Sequence, residues 1–211
     1  MLDLFMRSAP PPAVEGQQDA TTGEYAQLSD IAYEPDARKK RKRAQALGYA
    51  IDDKLSGDYA TVYYSESPFA QNKKRAVVAY RGTKLHRPDD LVADAAIALD
   101  LEKHTGRFKY ATEIAEIAAT RYGKNLAVTG HSLGGTMAAH VNEQLGYDAY
   151  AYNPGSNPLK KRRRGRDNLR VVRNNSDMIS HGWSQDNRPL NVARGLGALL
   201  GGSVHGLRQF Y

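Results

Sequence analysis

No cysteine occurs among the 211 residues. That absence excludes a disulfide framework, a thiolate nucleophile and any cysteine-ligated zinc or iron–sulfur centre. No apolar run approaches the roughly 20 residues that a bilayer-spanning helix requires. The opening MLDLFMRSAPPP has an acidic third residue and lacks the apolar stretch of a secretory signal. The expectation is a soluble chain without a secretory signal, intracellular or virion-associated. Internal repeats are lacking too. What remains is 41% hydrophobic, enough at this length for one domain with a substantial buried core and short for two.

Acidic residues are outnumbered, giving a net charge of +7. The excess is local. RKKRKR (residues 38–43) and KKRRRGR (residues 160–166) hold six positive charges each, so the rest of the chain is net negative. Such blocks can meet phosphate backbones or anionic lipid headgroups. They can equally be a solvated helix face and a solvated loop. Neither block is interleaved with the aromatics on which nucleic-acid platforms stack bases, so no nucleic-acid partner is expected.

Residues 1–21, with the stretch APPPAVEGQQ, show no apolar period, which predicts a flexible arm ahead of a single domain over 22–211. From Thr22, the spacing of Tyr25, Leu28, Ile31 and Ala32 predicts a helix that Pro35 ends. A basic helix to about Leu47 follows, stopped by Gly48. Residues 49–67 read as two short strands joined by the turn Ser56-Gly57-Asp58, and AVVAY (residues 76–80) as a strand buried on both faces. Residues 88–102 and 106–123 have helical spacing, the second with Phe108, Ile114, Ala115, Ala118 and Tyr122 on one stripe and Gly123 as its cap. Then come a strand over KNLAVTG, a helix from Thr136 to about Leu145, and strands over YDAYAYN and NLRVVRN. Strands alternating with helices predict a three-layer α/β sandwich around a mainly parallel sheet, with reactive groups beyond the carboxyl ends of its strands.

At that position the chain reads Gly130-His131-Ser132-Leu133-Gly134-Gly135, between the strand and the helix. In a nucleophile elbow the serine sits at a sharp, strained corner, so the residues two before and two after it must be small. The corner also aims the serine at a helix N-terminus, where free N–H groups favour a developing oxyanion. A glycine-rich turn that merely needs tight packing is the alternative.

A serine hydroxyl attacks only when a base takes its proton and a carboxylate holds that base. His140 is eight residues along the helix, about 12 Å away, out of reach and best read as packing. His181 would share a loop with Asp177, whereas acid and base normally arrive on different loops. His205, flanked by glycines in the C-terminal segment, is preferred. For the acid, Asp177 follows the strand NLRVVRN, where a triad carboxylate belongs; Asp148 precedes its strand, Asp167 sits beside the charged loop, and Asp186 is the reserve. Asp177 could instead cap a turn after Asn-Asn-Ser. Oxyanion donors are expected from the N–H of Leu133 and, after VVAYRGT, from Thr83.

VVAYRGT, DDLVADAAIAL, VTGHSLGG, RVVRNNSDMIS and VHGLRQF resemble, in order, the motifs of the class 3 lipase family. These are fungal-lipase-like α/β-hydrolases, here of the compact type found in bacteriophages, large DNA viruses and some microbes. The similarity covers about residues 24–211. It implies an α/β-hydrolase fold and a serine esterase acting on acylglycerols or phospholipids, with Ser132 as nucleophile, Asp177 as acid, His205 as base, and Thr83 with Leu133 in the oxyanion hole. It implies no metal and no organic cofactor.

The chain departs from secreted members in lacking cysteines and a large apolar lid. Leu91, Val92, Ile97 and Leu99 lie among aspartates that would be costly to bury, and are expected to pack as a core helix. A small, open esterase or phospholipase is therefore expected in place of a lidded triglyceride lipase, with the basic blocks suited to an anionic membrane surface. Two further classes remain open: other acyl chemistry (thioesterase, peptidase or acyltransferase) and a non-catalytic basic module. Trp183 reads as packing or as part of the pocket mouth.

Overall fold

The computed structural model describes residues 15–65, 76–82, 106–155 and 166–173, with side-chain surroundings from residue 22 onward. Helix α1 spans Glu15–Ile31 and begins upstream of the expected start near Thr22. Glu15, Gln17, Gln18 and Ala20 favour a helix but carry no apolar period, so periodicity marked only the part from Thr22 onward. Asp36 caps α2 (Ala37–Ala46), its carboxylate accepting the N–H of Lys39 at 2.9 Å. The helix ends at Gly48, whose φ of 78° suits a residue without a Cβ.

Strands β1 (Tyr49–Ile51) and β2 (Ala60–Ser65) pair antiparallel, and β2 pairs antiparallel with β3 (Ala76–Tyr80). The chain then passes through α3 (Arg107–Tyr122), β4 (Leu126–His131), α4 (Leu133–Leu145), β5 (Asp148–Tyr152) and β6 (Leu169–Val172). Strands β3 to β6 are parallel, and the sheet runs β1-β2-β3-β4-β5-β6. Adding parallel strands in one direction with right-handed crossovers puts successive helices on the same face. Accordingly α3 and α4 cover one face, over Val78, Tyr80, Val128, Ala149 and Ala151. The opposite face carries α1 and α2, over Val77, Ala79, Ala127 and Tyr152. Side chains alternate along a strand, so covering both faces buries every residue of AVVAY.

Helix α3 buries Phe108, Ala111, Ile114, Ala115 and Ala118. Tyr122, expected on that stripe, is only partly buried; its hydroxyl donates to Asp52 at 2.7 Å. Helix α4 starts at Leu133, three residues before the expected Thr136, because Gly134 and Gly135 belong to its first turn. It is buried along most of its length, including Asn142, whose amide donates to the Tyr147 carbonyl and to Asn168 Oδ1, both at 2.8 Å. The first basic block is partly neutralised by neighbours: Arg41 meets Asp53 at 2.8 Å, Arg43 meets Asp30 at 2.7 Å, and Lys39 meets Glu34 at 3.1 Å. No helix among the described residues is long and apolar enough to cross a membrane.

Candidate active site

The register sets Tyr80 beside Gly130 and His131 beside Tyr152, so β3, β4 and β5 end together at one edge of the sheet. At that edge Ser132 is the single residue between β4 and α4. Its φ of 57° and ψ of −125° lie where a Cβ is strained. The corner is held on three sides. Ser132 donates its N–H to the Tyr152 carbonyl at 3.0 Å, and its own carbonyl accepts the N–H groups of Thr136 at 3.1 Å and Gly155 at 3.2 Å. The Thr136 hydroxyl donates to the Gly155 carbonyl at 2.9 Å, tying the loop after β5 to the same turn. Ser132 is 9% exposed.

The glycines around the corner are there because backbone fills the space a side chain would need. A Cβ on Gly130 would run into the Gly134 carbonyl, and one on Gly134 into the Tyr80 carbonyl. At Gly135 it would stand 3.0 Å from the Gly130 oxygen and 3.2 Å from Pro154 Cβ. These contacts pack the first turn of α4 against the end of β3. Leu133 opens α4, so its N–H has no carbonyl one turn earlier to bond, and the helix dipole adds positive potential at Ser132. An anion forming beside Ser132 would meet that donor.

The end of β3 approaches from the other side. Arg81 donates its N–H to the Tyr59 carbonyl at 2.9 Å, while its carbonyl accepts from Arg107 Nη2 at 3.0 Å. Arg107 in turn lies 4.4 Å from the centre of the Tyr59 ring, a cation–π contact. Gly82 donates its N–H to the Tyr33 hydroxyl at 2.7 Å, and that hydroxyl donates to the His131 carbonyl at 3.3 Å. Burial pushes the Tyr33 hydroxyl up to about 12, against the opposing pull of the Gly82 N–H and of the Arg81 and Arg107 charges. The phenol therefore stays protonated, and a donor, at neutral pH.

His131 is partly buried, its ring edge-on to Tyr33 with centroids 6.2 Å apart. His140 packs edge-on against Phe108 at 5.1 Å, the packing role expected for it. Asp148 opens β5 and accepts the Asn168 amide at 3.0 Å. Thr83, Asp177, His205, His181, Trp183, Asp186 and the helix expected over 88–102, with Leu91, Val92, Ile97 and Leu99, lie outside the described residues. Among the described residues no cluster of His, Asp or Glu could hold a metal ion. Tyr33, Tyr59 and Arg107 were not singled out from the sequence. Tyr33 falls off the apolar stripe of α1, and the other two act through backbone groups that no motif displays.

Ser132 thus sits at a strained corner, at the N-terminus of α4 and beside a strand end that is hydrogen-bonded on both sides. The family model described as Tle-like phospholipase domain matches residues 24–190, and the chain belongs to this phospholipase-like family. Membership supports hydrolysis of lipid esters. No curated protein matches the chain.

Proposed function

We propose that the chain is a serine phospholipase or esterase of α/β-hydrolase fold, close in plan to the class 3 lipases. The observation that carries the reading is the backbone of Ser132, φ 57° and ψ −125°, at the entrance to α4. Ser132 Oγ attacks the acyl carbonyl as His205 takes its proton, and Asp177 orients the imidazole and offsets its charge. The carbonyl oxygen, now anionic, is bound by the N–H of Leu133 and by Thr83. The N–H groups of Arg81 and Gly82 already have acceptors, so that of Thr83 is the next along the chain. The alcohol or lysolipid leaves with the proton from His205. Water, deprotonated by the same imidazole, then releases the fatty acid from Ser132. This scheme uses neither a metal nor an organic cofactor.

The family match reaches residue 190, which takes in Ser132, Asp177 and His181 and stops before His205. The two histidines therefore need a direct comparison. Purified protein is expected to release fatty acid from phospholipid vesicles and to cleave aryl esters faster than matched thioesters or anilides. Ser132→Ala and His205→Ala should each lower turnover by about 10⁴-fold or more, with His181→Ala largely active. A preference for thioester or amide would move the reading to other acyl chemistry, and full activity in Ser132→Ala would reject it.

The same vesicles address the basic blocks. Arg38 and Lys42 are exposed on α2, whereas Lys39, Arg41 and Arg43 are engaged with carboxylates. On α2 these two cations give on the order of 2 kcal/mol of attraction to an anionic surface; of the second block, residues 160–165 lie outside the described residues and Arg166 donates to the Glu143 carbonyl at 2.8 Å.

A further inference from the structure

We infer that Tyr33 is a positioning residue for the hydrolytic reaction, fixing the spacing between the end of β3 and the serine corner through its hydroxyl. The inference rests on the reading of Ser132 as nucleophile. Two backbone points must stand a fixed distance apart for the proposed oxyanion to be bound from both sides: the start of α4, carrying Leu133, and Gly82 at the end of β3, the residue before the proposed donor Thr83. They come from different strands, and between Gly82 and the β4–α4 turn stands one side chain that bonds to both. Its oxygen accepts the Gly82 N–H at 2.7 Å and donates to the His131 carbonyl, the residue before Ser132, at 3.3 Å. The packing leaves no slack: a Cβ on Gly82 would lie 2.8 Å from the His131 oxygen, 2.8 Å from the Tyr33 oxygen and 3.3 Å from the Gly134 nitrogen. Tyr33 itself is fixed from behind, just beyond the end of α1, where its N–H donates to Asp30 at 3.0 Å.

Removing the oxygen leaves the Gly82 N–H without its acceptor and the His131 carbonyl without this donor, while the ring continues to fill the same space. Gly82 is then free to drift relative to Ser132. Donors act at full strength only when they are already in place as charge develops, and displacements of about 1 Å at such sites cost up to about 10²-fold. The effect falls on turnover and spares ground-state binding, because the oxyanion exists only after attack.

The test compares Tyr33→Phe with Ser29→Ala in the full-length protein. Ser29 Oγ hydrogen-bonds Thr129 Oγ1 at 2.9 Å, so its loss loosens the same contact of α1 with β4 without touching Gly82. Tyr33→Phe is expected to lower kcat on an aryl ester about tenfold or more with KM within about twofold, and to speed hydrogen exchange at the Gly82 amide. Ser29→Ala should lower the melting temperature with kcat unchanged. An unchanged kcat in Tyr33→Phe, or equal losses of kcat in both variants, would overturn the inference by reducing Tyr33 to a structural contact. A wild-type protein inert to both ester and serine-directed probe would overturn the hydrolase reading and this role with it. That outcome is told apart from failure of the Tyr33 role alone, in which the wild type reacts and the variant matches it.

Discussion

Replacing Ser132 by glycine is expected to stabilise the fold relative to alanine at the same position, although both changes remove the hydroxyl. With φ at 57° and ψ at −125°, any residue carrying a Cβ is held in a sparsely populated region of backbone space, at a cost of about 1–3 kcal/mol. Alanine keeps that cost. Glycine removes it but gains freedom in the unfolded chain, an offset of about 0.4–1 kcal/mol. Taken at the middle of both ranges, the balance favours glycine by roughly 1.3 kcal/mol. For a chain of this length 1 kcal/mol moves the midpoint by about 2–4 °C, so Ser132→Gly should melt roughly 3–5 °C above Ser132→Ala. Thermal unfolding of both variants, followed by circular dichroism under identical buffer conditions, measures the difference. If Ser132→Gly melts at or below Ser132→Ala, the corner is not strained, and the argument that the fold stores energy at this serine is wrong.

The packing of the elbow predicts a contrast between two glycines. Gly134→Ala, whose Cβ would run into the Tyr80 carbonyl, should cost about 2 kcal/mol or more, whereas Gly57→Ala, with Tyr110 Oη 3.7 Å away, should stay within about 0.5 kcal/mol in denaturant titrations. A tolerated Gly134→Ala would mean that β3 and α4 are not in the contact described. Alkaline pH should unfold the protein. Burial raises Tyr63, Tyr80 and Tyr152 above the ordinary 10.0, so above that pH the folded state holds protons the unfolded chain releases, and stability falls as pH rises. Each such tyrosine contributes a slope of about 1.4 kcal/mol per pH unit. Tyrosinate absorbance from these residues should therefore appear together with loss of helical signal, and ionisation near pH 10 in a still-folded protein would contradict their burial.

Much of the architecture was legible because one physical signal dominated locally. AVVAY is apolar throughout and is buried throughout, and the stripe on α3 appears where Phe108, Ile114, Ala115 and Ala118 placed it. The signal failed where packing was not periodic. The first two turns of α1 have no apolar face to show, and the start of α4 hides in Gly134 and Gly135, residues read as turn formers but helical here because the neighbouring strand leaves no room for side chains. The serine corner could be read from Gly130-His131-Ser132-Leu133-Gly134, since small residues at those positions answer a steric demand of the backbone itself. Tyr33 could not. Its role depends on α1 running along β4, so that a residue just past the helix end reaches both Gly82 and His131, at separations of 49 and 98 residues. The charge runs were legible as charge but not as free charge, because Asp30, Glu34 and Asp53, which engage Arg43, Lys39 and Arg41, are scattered outside the run.

The most direct test of the central claim is covalent. Folded wild-type protein treated with a fluorophosphonate probe and digested should carry the label on the peptide containing Ser132, and Ser132→Ala should carry none. A folded wild-type protein that takes up no label, or a label that persists undiminished in Ser132→Ala, would contradict the account of Ser132 as an activated nucleophile.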